Sequence, residues 1–268
     1  MSARNAICVQ EQYLPGETMS EKWDVAQAWG FDGIELRGKG DGAFLSRLPE
    51  LKAAAAAGIA MPTVCVEMDH FVGDFDAARR GDALVQMRDQ LRVIAEIGGR
   101  GAMTPASWGM FSRRLPPFEP PRTPEGDRAV LVDAFGALGD EASALGVEIY
   151  LEPLNRYEDH MINRLADAVA LIEAIGLKSV RIGADTYHMN IEEADPAGAL
   201  VAAAPYIGHL QASDSNRLEP GAGHIDWALF GATVRAIGYE GPIAIESRLS
   251  GPPAEALSAV PPLLKRHL

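Results

Sequence analysis

The sequence predicts a single closed (β/α)8 barrel, the TIM barrel, over residues 1–268. Three observations predict it. Short apolar or β-branched runs alternate with longer helical patterns from end to end, the mark of repeated βα units around a parallel sheet. Eight such units follow one another with neither a linker nor a break in composition. Six helical patterns stop at glycine (Gly30, Gly58, Gly98, Gly146, Gly176 and Gly238), as a left-handed C-terminal cap requires. With 268 residues, 47% of them hydrophobic, the chain could fill two ordinary domains, but barrels of this class reach that size undivided. No GxGxxG or GxxxxGK[ST] run follows an early strand, so an open nucleotide-binding sheet has no support.

Taken in order, the first strand is expected at 6–10 and a helix at 21–29, closed by Gly30. A second strand at 33–37 leads to a helix at 51–57, and a third at 61–67 to a long helix at 77–97. The fourth strand, 101–106, is followed by a segment that breaks the rhythm. Residues 108–126 read WGMFSRRLPPFEPPRTPEG, where five prolines block regular helix and predict a loop over the barrel mouth, a lid or a subunit contact. Helix 127–145 then precedes strand 147–154, helix 165–175 precedes strand 180–185, and helix 196–203 precedes strand 208–212. A helix at 227–237 leads to the last strand, 243–246, and a helix at 255–264 closes the chain.

The formal charge of −13 opposes binding to nucleic acid or to an acidic membrane. Cys8 and Cys65 sit in apolar strand runs, where a buried reduced thiol is expected rather than a disulfide. The N-terminal residues lack an apolar core of signal-peptide length and no run is long enough to span a membrane, so the expected location is the cytoplasm.

Residues at the C-terminal ends of barrel strands surround one cavity, and in strands five to eight those ends are polar. LEPLNRYE, GADTYHMN, HLQASDSNR and AIESR place Glu152, Asp185, Gln211 and Glu246 there. One carboxylate at such a place could be a structural ion-pair partner. Four polar groups on consecutive strands at matching depth point instead to a divalent cation, which removes the repulsion and desolvation cost of clustered carboxylates. The oxygen-only set favours Mn²⁺, with Mg²⁺ or Co²⁺ as the other candidates, over Zn²⁺.

On the motifs LEPLNRYE, DTYHMNIEE, HLQ, SDSNRLEPGAGHIDW and IESR, the chain resembles the xylose-isomerase-like barrel superfamily. Within it, the resemblance is to metal-dependent ketose 3-epimerases and hydroxypyruvate isomerases. It covers the whole chain and is most specific over 150–248. It implies a divalent metal held by Glu152, Asp185, Gln211 and Glu246, and substrate contacts from Glu158, His188 and Arg217. Gln211 departs from the histidine usual in the sugar epimerases and is similar to the HxQ of hydroxypyruvate isomerase-like members.

This constellation suits proton removal next to a carbonyl. The metal would polarise the carbonyl of a ketose or keto-sugar acid and stabilise the enediolate, while Glu152 and Glu246, on opposite faces, would remove and return the proton. Return to the opposite face is epimerisation, return to the neighbouring carbon is isomerisation, and loss of a leaving group is elimination. The alternatives are therefore a hydroxypyruvate isomerase, an inosose dehydratase or the barrel subunit of a C-glycoside deglycosidase. A repair nuclease on a similar barrel would need a histidine-rich trinuclear zinc site, which six histidines and an acidic chain disfavour. A homo-oligomer, dimer or tetramer, acting on a free rather than phosphorylated carbohydrate or keto acid is expected, although Arg217 and the amides of 221–223 could hold an anion. Trp108, Phe71 and Tyr13 are candidates for an apolar wall, Glu67 and His70 for polar mouth positions. His209 could lie in the barrel core or support Gln211. His224 and Asp226 could close the site, or Asp226 could cap the following helix.

Overall fold

The computed structural model describes residues 5–110 and 119–268. Its eight parallel strands close into a barrel in sequence order, from β1 through β8 and back to β1. They are β1 (Ile7–Gln10), β2 (Gly33–Lys39), β3 (Thr63–Glu67), β4 (Gly101–Pro105), β5 (Glu148–Glu152), β6 (Val180–Asp185), β7 (Ile207–Ala212) and β8 (Ile243–Ile245). Around them run α1 (Met19–Ala28), α2 (Ala43–Ser46), α3 (Leu48–Ala56), α4 (Ala77–Glu96), α5 (Pro124–Leu145) and α6 (Leu165–Ile175). They continue with α7 (Thr186–Glu192), α8 (Pro196–Ala203), α9 (Trp227–Ala236), α10 (Pro253–Ser258) and α11 (Val260–His267).

Local chemistry sets the boundaries. Thr18 and Glu21 form a reciprocal capping box at α1, and Asp76, Thr123, Asp195 and Asp226 accept N-terminal amides of α4, α5, α8 and α9. All six glycines expected to end helices have φ between 66° and 87°, a region open to glycine at little cost. The structure departs from the expected pattern at three helices, the first being the four-residue α2 after β2, which the sequence pattern does not announce. The short α7 begins inside the DTYHMN motif, and the closing helix is divided at Ala259 into α10 and α11, with Pro261 and Pro262 in the first turn of the latter.

Side chains alternating inward from the strands fill the barrel in layers. The lowest contains Tyr150, fully buried. A Cβ on Gly101 or Gly208 would come within 2.8 Å or 2.6 Å of its ring, so glycine at those two places makes room for it. His209 stacks on Tyr150 at 5.4 Å between centroids. Above it, Gln10, Glu35, Thr63 and Gln211 are buried together in a polar layer. Cys8 and Cys65 are buried and unpaired, as the sequence implies.

Residues 111–118 lie outside the described residues, and with them the middle of the 108–126 segment. Of its described ends, Trp108 is 59% exposed at the mouth. Arg122 donates to the carbonyls of Gly73 and Asp74 and to Asp127, tying the start of α5 to the β3–α4 loop.

Candidate active site at the barrel mouth

Glu152 is the last residue of β5, Asp185 the last of β6, Gln211 the fifth of β7, and Glu246 follows β8 directly. The strands thus deliver all four to the C-terminal end of the barrel. Asp185 also caps α7, its Oδ1 accepting from the amides of Tyr187 (2.7 Å) and His188 (3.3 Å). Its Oδ2 accepts from Arg217 Nη1 at 2.6 Å. Arg217 Nη2 lies 3.0 Å from Glu246 Oε2, so one guanidinium bridges two of the carboxylates.

Glu152 and Glu246 are both shifted toward the protonated form. Burial lifts Glu152 well above the usual carboxylate range, and the charges of Glu246 and Asp185 add to the effect. Burial also raises Glu246, against the opposing pull of Arg217. For Arg217 itself burial favours the neutral form, but Asp185 and Glu246 outweigh it and push the guanidinium well up.

These residues fit a divalent cation. A carboxylate oxygen of Glu152 and one of Asp185 lie within 4.8 Å of each other, with a ring nitrogen of His188 at the same range. Glu152 Oε1 and Gln211 Oε1 are buried with no hydrogen-bond partner among the described residues, as expected of oxygens reserved for a metal. Clustered hard oxygens match Mn²⁺ or Mg²⁺ in chemistry.

His188 stands beside Glu152 and Asp185 with its own hydrogen-bond setting. The backbone N–H of Asn155 donates to its Nδ1 at 3.1 Å, so the ring proton of the neutral form sits on Nε2, 3.5 Å from Glu152 Oε1. Burial holds its pKa down at about 4. A buried neutral imidazole with Nε2–H turned to the cavity can donate a hydrogen bond into it. Glu158 accepts from Asn155 Nδ2 at 2.9 Å and from the indole N–H of Trp108 at 3.3 Å. Asn155 therefore arranges both His188 and Glu158. Nothing in the sequence pattern singles it out beyond its place in LEPLNRYE.

Arg217 sits at φ 63°, in the left-handed region, in the loop after β7. Asp214, fully buried, gathers that loop: it accepts from the amides of Ser215, Gly221 and Ile225 and from Trp227 Nε1. Of the three amides at 221–223 that could hold an anion, two are already used, Gly221 by Asp214 and Ala222 by the carbonyl of Glu219. Replacing Asp214 with Ala leaves the buried Trp227 indole N–H and three part-buried amides without their acceptor, so a loss of about 1–3 kcal/mol in stability is expected. KM should rise more than kcat falls because Arg217 loses its footing; melting curves and steady-state kinetics check both parts.

Around this centre, Tyr13 donates to the Ser247 carbonyl at 2.5 Å and Phe71 is buried in the cavity wall. Glu67 pairs with Arg37 at 2.8 Å, while His70 lies 3.9 Å from Asp82. Asp226 caps α9, and His224 is exposed beside Ser215. His209 donates from Nε2 to Glu35, a buried carboxylate that also accepts from Gln211.

Two lobes of one depression open above the carboxylates, sharing Arg37, Trp108, Glu158, Arg217 and Glu246. The inner lobe, about 420 Å³, holds Glu152 and His188. The outer lobe, about 480 Å³, reaches Gln12, Tyr13, Tyr187, Asn216 and Arg248.

Known proteins share this architecture and much of the sequence. The model of the xylose isomerase-like TIM barrel family matches residues 23–267. The 3-dehydro-D-guloside 4-epimerase of Escherichia coli (strain K12) is 41% identical over 252 residues, 93% of this chain and 95% of that protein. The D-psicose 3-epimerase of Agrobacterium fabrum is 36% identical over 129 residues, 48% of this chain and 45% of that protein. Among solved structures, a 3-keto-D-glucoside 4-epimerase from E. coli superimposes with a TM-score of 0.92 at 40% identity, covering 98% of this chain and all of that one.

Proposed function

Because the chain belongs to the xylose isomerase-like TIM barrel family and is an epimerase of the isomerase class, we propose that it inverts a carbon next to the carbonyl of a keto-sugar glycoside. The reaction best supported is inversion at C4 of a 3-keto hexoside. The observation that carries the general chemistry is the pair Glu152 and Glu246, on β5 and directly after β8, both buried and both held toward the protonated form. A 3-keto group acidifies the C4 hydrogen just as a 2-keto group acidifies that on C3. Inversion at either carbon therefore needs the same acid–base pair, and the choice depends on how the sugar is seated.

In this assignment Glu152, Asp185, Gln211 and Glu246 hold a divalent cation, Mn²⁺ by preference. When bound, that ion draws electron density from the substrate carbonyl and makes the neighbouring hydrogen acidic. One glutamate takes this proton as the C–H bond breaks, and its electron pair moves toward the carbonyl. The other glutamate returns a proton to the opposite face, giving the inverted centre. His188 donates from Nε2 to a sugar oxygen, and Glu158, steadied by Asn155 and Trp108, accepts from a hydroxyl. Arg217 orients the substrate at the rim while keeping the carboxylates from repelling one another.

The outer lobe supports a glycoside over a free ketose. A hexose ring in the inner lobe would leave that second space for the group attached at C1, with the exposed Trp108 indole at the boundary. We assign the enzyme to the cytoplasm, where two buried, unpaired thiols are in keeping with a reducing compartment, and expect a homo-oligomer. No helix among the described residues is long and apolar enough to cross a membrane.

The deciding experiment incubates Mn²⁺-loaded protein in D₂O with 3-keto-glucosides, free ketoses, keto acids and hydroxypyruvate. Deuterium at C4 of a 3-keto-glucoside, with the C4 epimer formed, is the expected result. Label at C3 of a free ketose would move the assignment to a ketose 3-epimerase. Release of the C1 group, or transfer of label to a neighbouring carbon in hydroxypyruvate, would replace epimerisation by elimination or isomerisation.

A further inference from the structure

Beneath the four mouth residues lies a carboxylate that the catalytic scheme does not use. Glu35, fully buried on β2, accepts four hydrogen bonds. Its Oε1 takes them from Thr63 Oγ1 (2.9 Å) and His209 Nε2 (2.7 Å), its Oε2 from Gln10 Nε2 (2.9 Å) and Gln211 Nε2 (2.8 Å). That matches the roughly four lone-pair sites of an ionised carboxylate. Four donors on two oxygens leave no lone pair for a carboxyl proton, so the group is a pure acceptor.

A pure acceptor has a geometric consequence for Gln211. An amide can present either its oxygen or its NH₂ to a cation, and only the oxygen binds one. Because Glu35 can only accept, the Gln211 amide must turn its nitrogen down, and its buried Oε1 is left without a hydrogen-bond partner among the described residues. We propose that Glu35 is a positioning residue for the bound divalent cation: by holding the Gln211 nitrogen, it makes Oε1 the metal-facing atom. This rests on the metal-dependent function assigned above and extends it to a residue that touches neither metal nor substrate.

Glu35→Gln tests the idea because the substituted side chain has the same shape and one NH₂. His209 Nδ1 is buried without a hydrogen-bond partner among the described residues, while Nε2 meets Glu35, so the ring proton belongs on Nε2 and the oxygen of the substituted amide is needed on that side. The NH₂ of that amide then faces Gln10 and Gln211. Gln211 relieves the clash of donors by turning over, which presents NH₂ to the cation. Mn²⁺ added to metal-free protein, with the unbound ion followed by its electron paramagnetic resonance signal, should show a Kd raised about 10–100-fold in Glu35→Gln. The double variant Glu35→Gln/Gln211→Glu should recover most of that loss, since a carboxylate on β7 accepts from the substituted amide with one oxygen and offers the other upward. A purely structural role for Glu35 predicts a lower melting temperature with unchanged Mn²⁺ affinity in the folded fraction, and no recovery in the double variant. Either of those two results overturns the proposal. If Glu35→Gln does not fold, Gln211→Glu alone decides. Set against Glu35, its carboxylate should bind Mn²⁺ more weakly than the native amide, and tighter binding would count against the inference. Failure of the unaltered protein to bind Mn²⁺ would instead remove the metal-dependent reading itself.

Discussion

Glu246→Gln should lower kcat roughly 10²- to 10⁴-fold, the usual contribution of a general acid or base. The substitution keeps the size of the side chain and an oxygen toward Arg217 Nη2, which lies 3.0 Å from Glu246 Oε2, so the loop after β7 should stay in place. What it removes is the ability to give or take a proton. A two-base mechanism adds a sharper expectation. The epimer whose hydrogen faces Glu152 should still exchange with D₂O, while conversion to the other epimer is lost. Exchange separated from inversion is a result that neither a misfolded variant nor a one-base mechanism produces. Inversion within about tenfold of the unaltered rate would remove Glu246 from proton transfer. The melting temperature, measured alongside, should be unchanged or higher, because a buried carboxyl shifted toward protonation is replaced by a neutral group.

The second large effect concerns metal removal and pH. Stripping divalent ions should abolish turnover, and re-adding Mn²⁺ should restore it. At a hundredfold excess over Kd a bound ion adds about 2.7 kcal/mol to folding stability. The metal-free protein should also respond to pH in the opposite sense to the loaded one. Glu152 and Glu246 are raised above the ordinary 4.5 in the folded chain, so the native state keeps protons that the unfolded state has released. Their contribution is fully present below that value and is lost as pH rises through the raised ones. The loaded form needs these ligands deprotonated, so its advantage grows over the same range. Melting temperatures of the two forms should therefore diverge as pH rises above the ordinary carboxylate value and through the raised ones. Curves that run parallel would mean that the two glutamates are not the source of the pH dependence.

Much of this is legible in the sequence because barrel strands are short and apolar and their mouth-facing ends are polar. Glu152, Asp185 and Glu246 stand out as charges closing apolar runs, and each strand lies within two residues of its expected range. Glu35 is hidden because it is one acid inside GIELRGK, and its meaning comes from three other strands. Cross-strand neighbours such as His209 and Gln211 are set by barrel closure, which no local pattern reports. The short α7 is hidden for a related reason: Asp185 reads as a ligand, yet the same side chain caps the helix that follows. Asp214 gives no local sign of its partners, which lie one, seven, eleven and thirteen residues downstream. His209, open in the sequence between core and support of Gln211, meets Gln211 on the shared Glu35.

The Tyr150 ring, seated against Gly101 and Gly208, has a kinetic consequence. With the axis of the barrel filled at that level, the sugar arrives and departs through one doorway. Substrate and epimer compete for the same vacancy, so each should inhibit conversion of the other competitively. Net flux in either direction then follows the ratio of the two sugars outside and the equilibrium between them, and a downstream step that consumes one epimer would set the direction of travel.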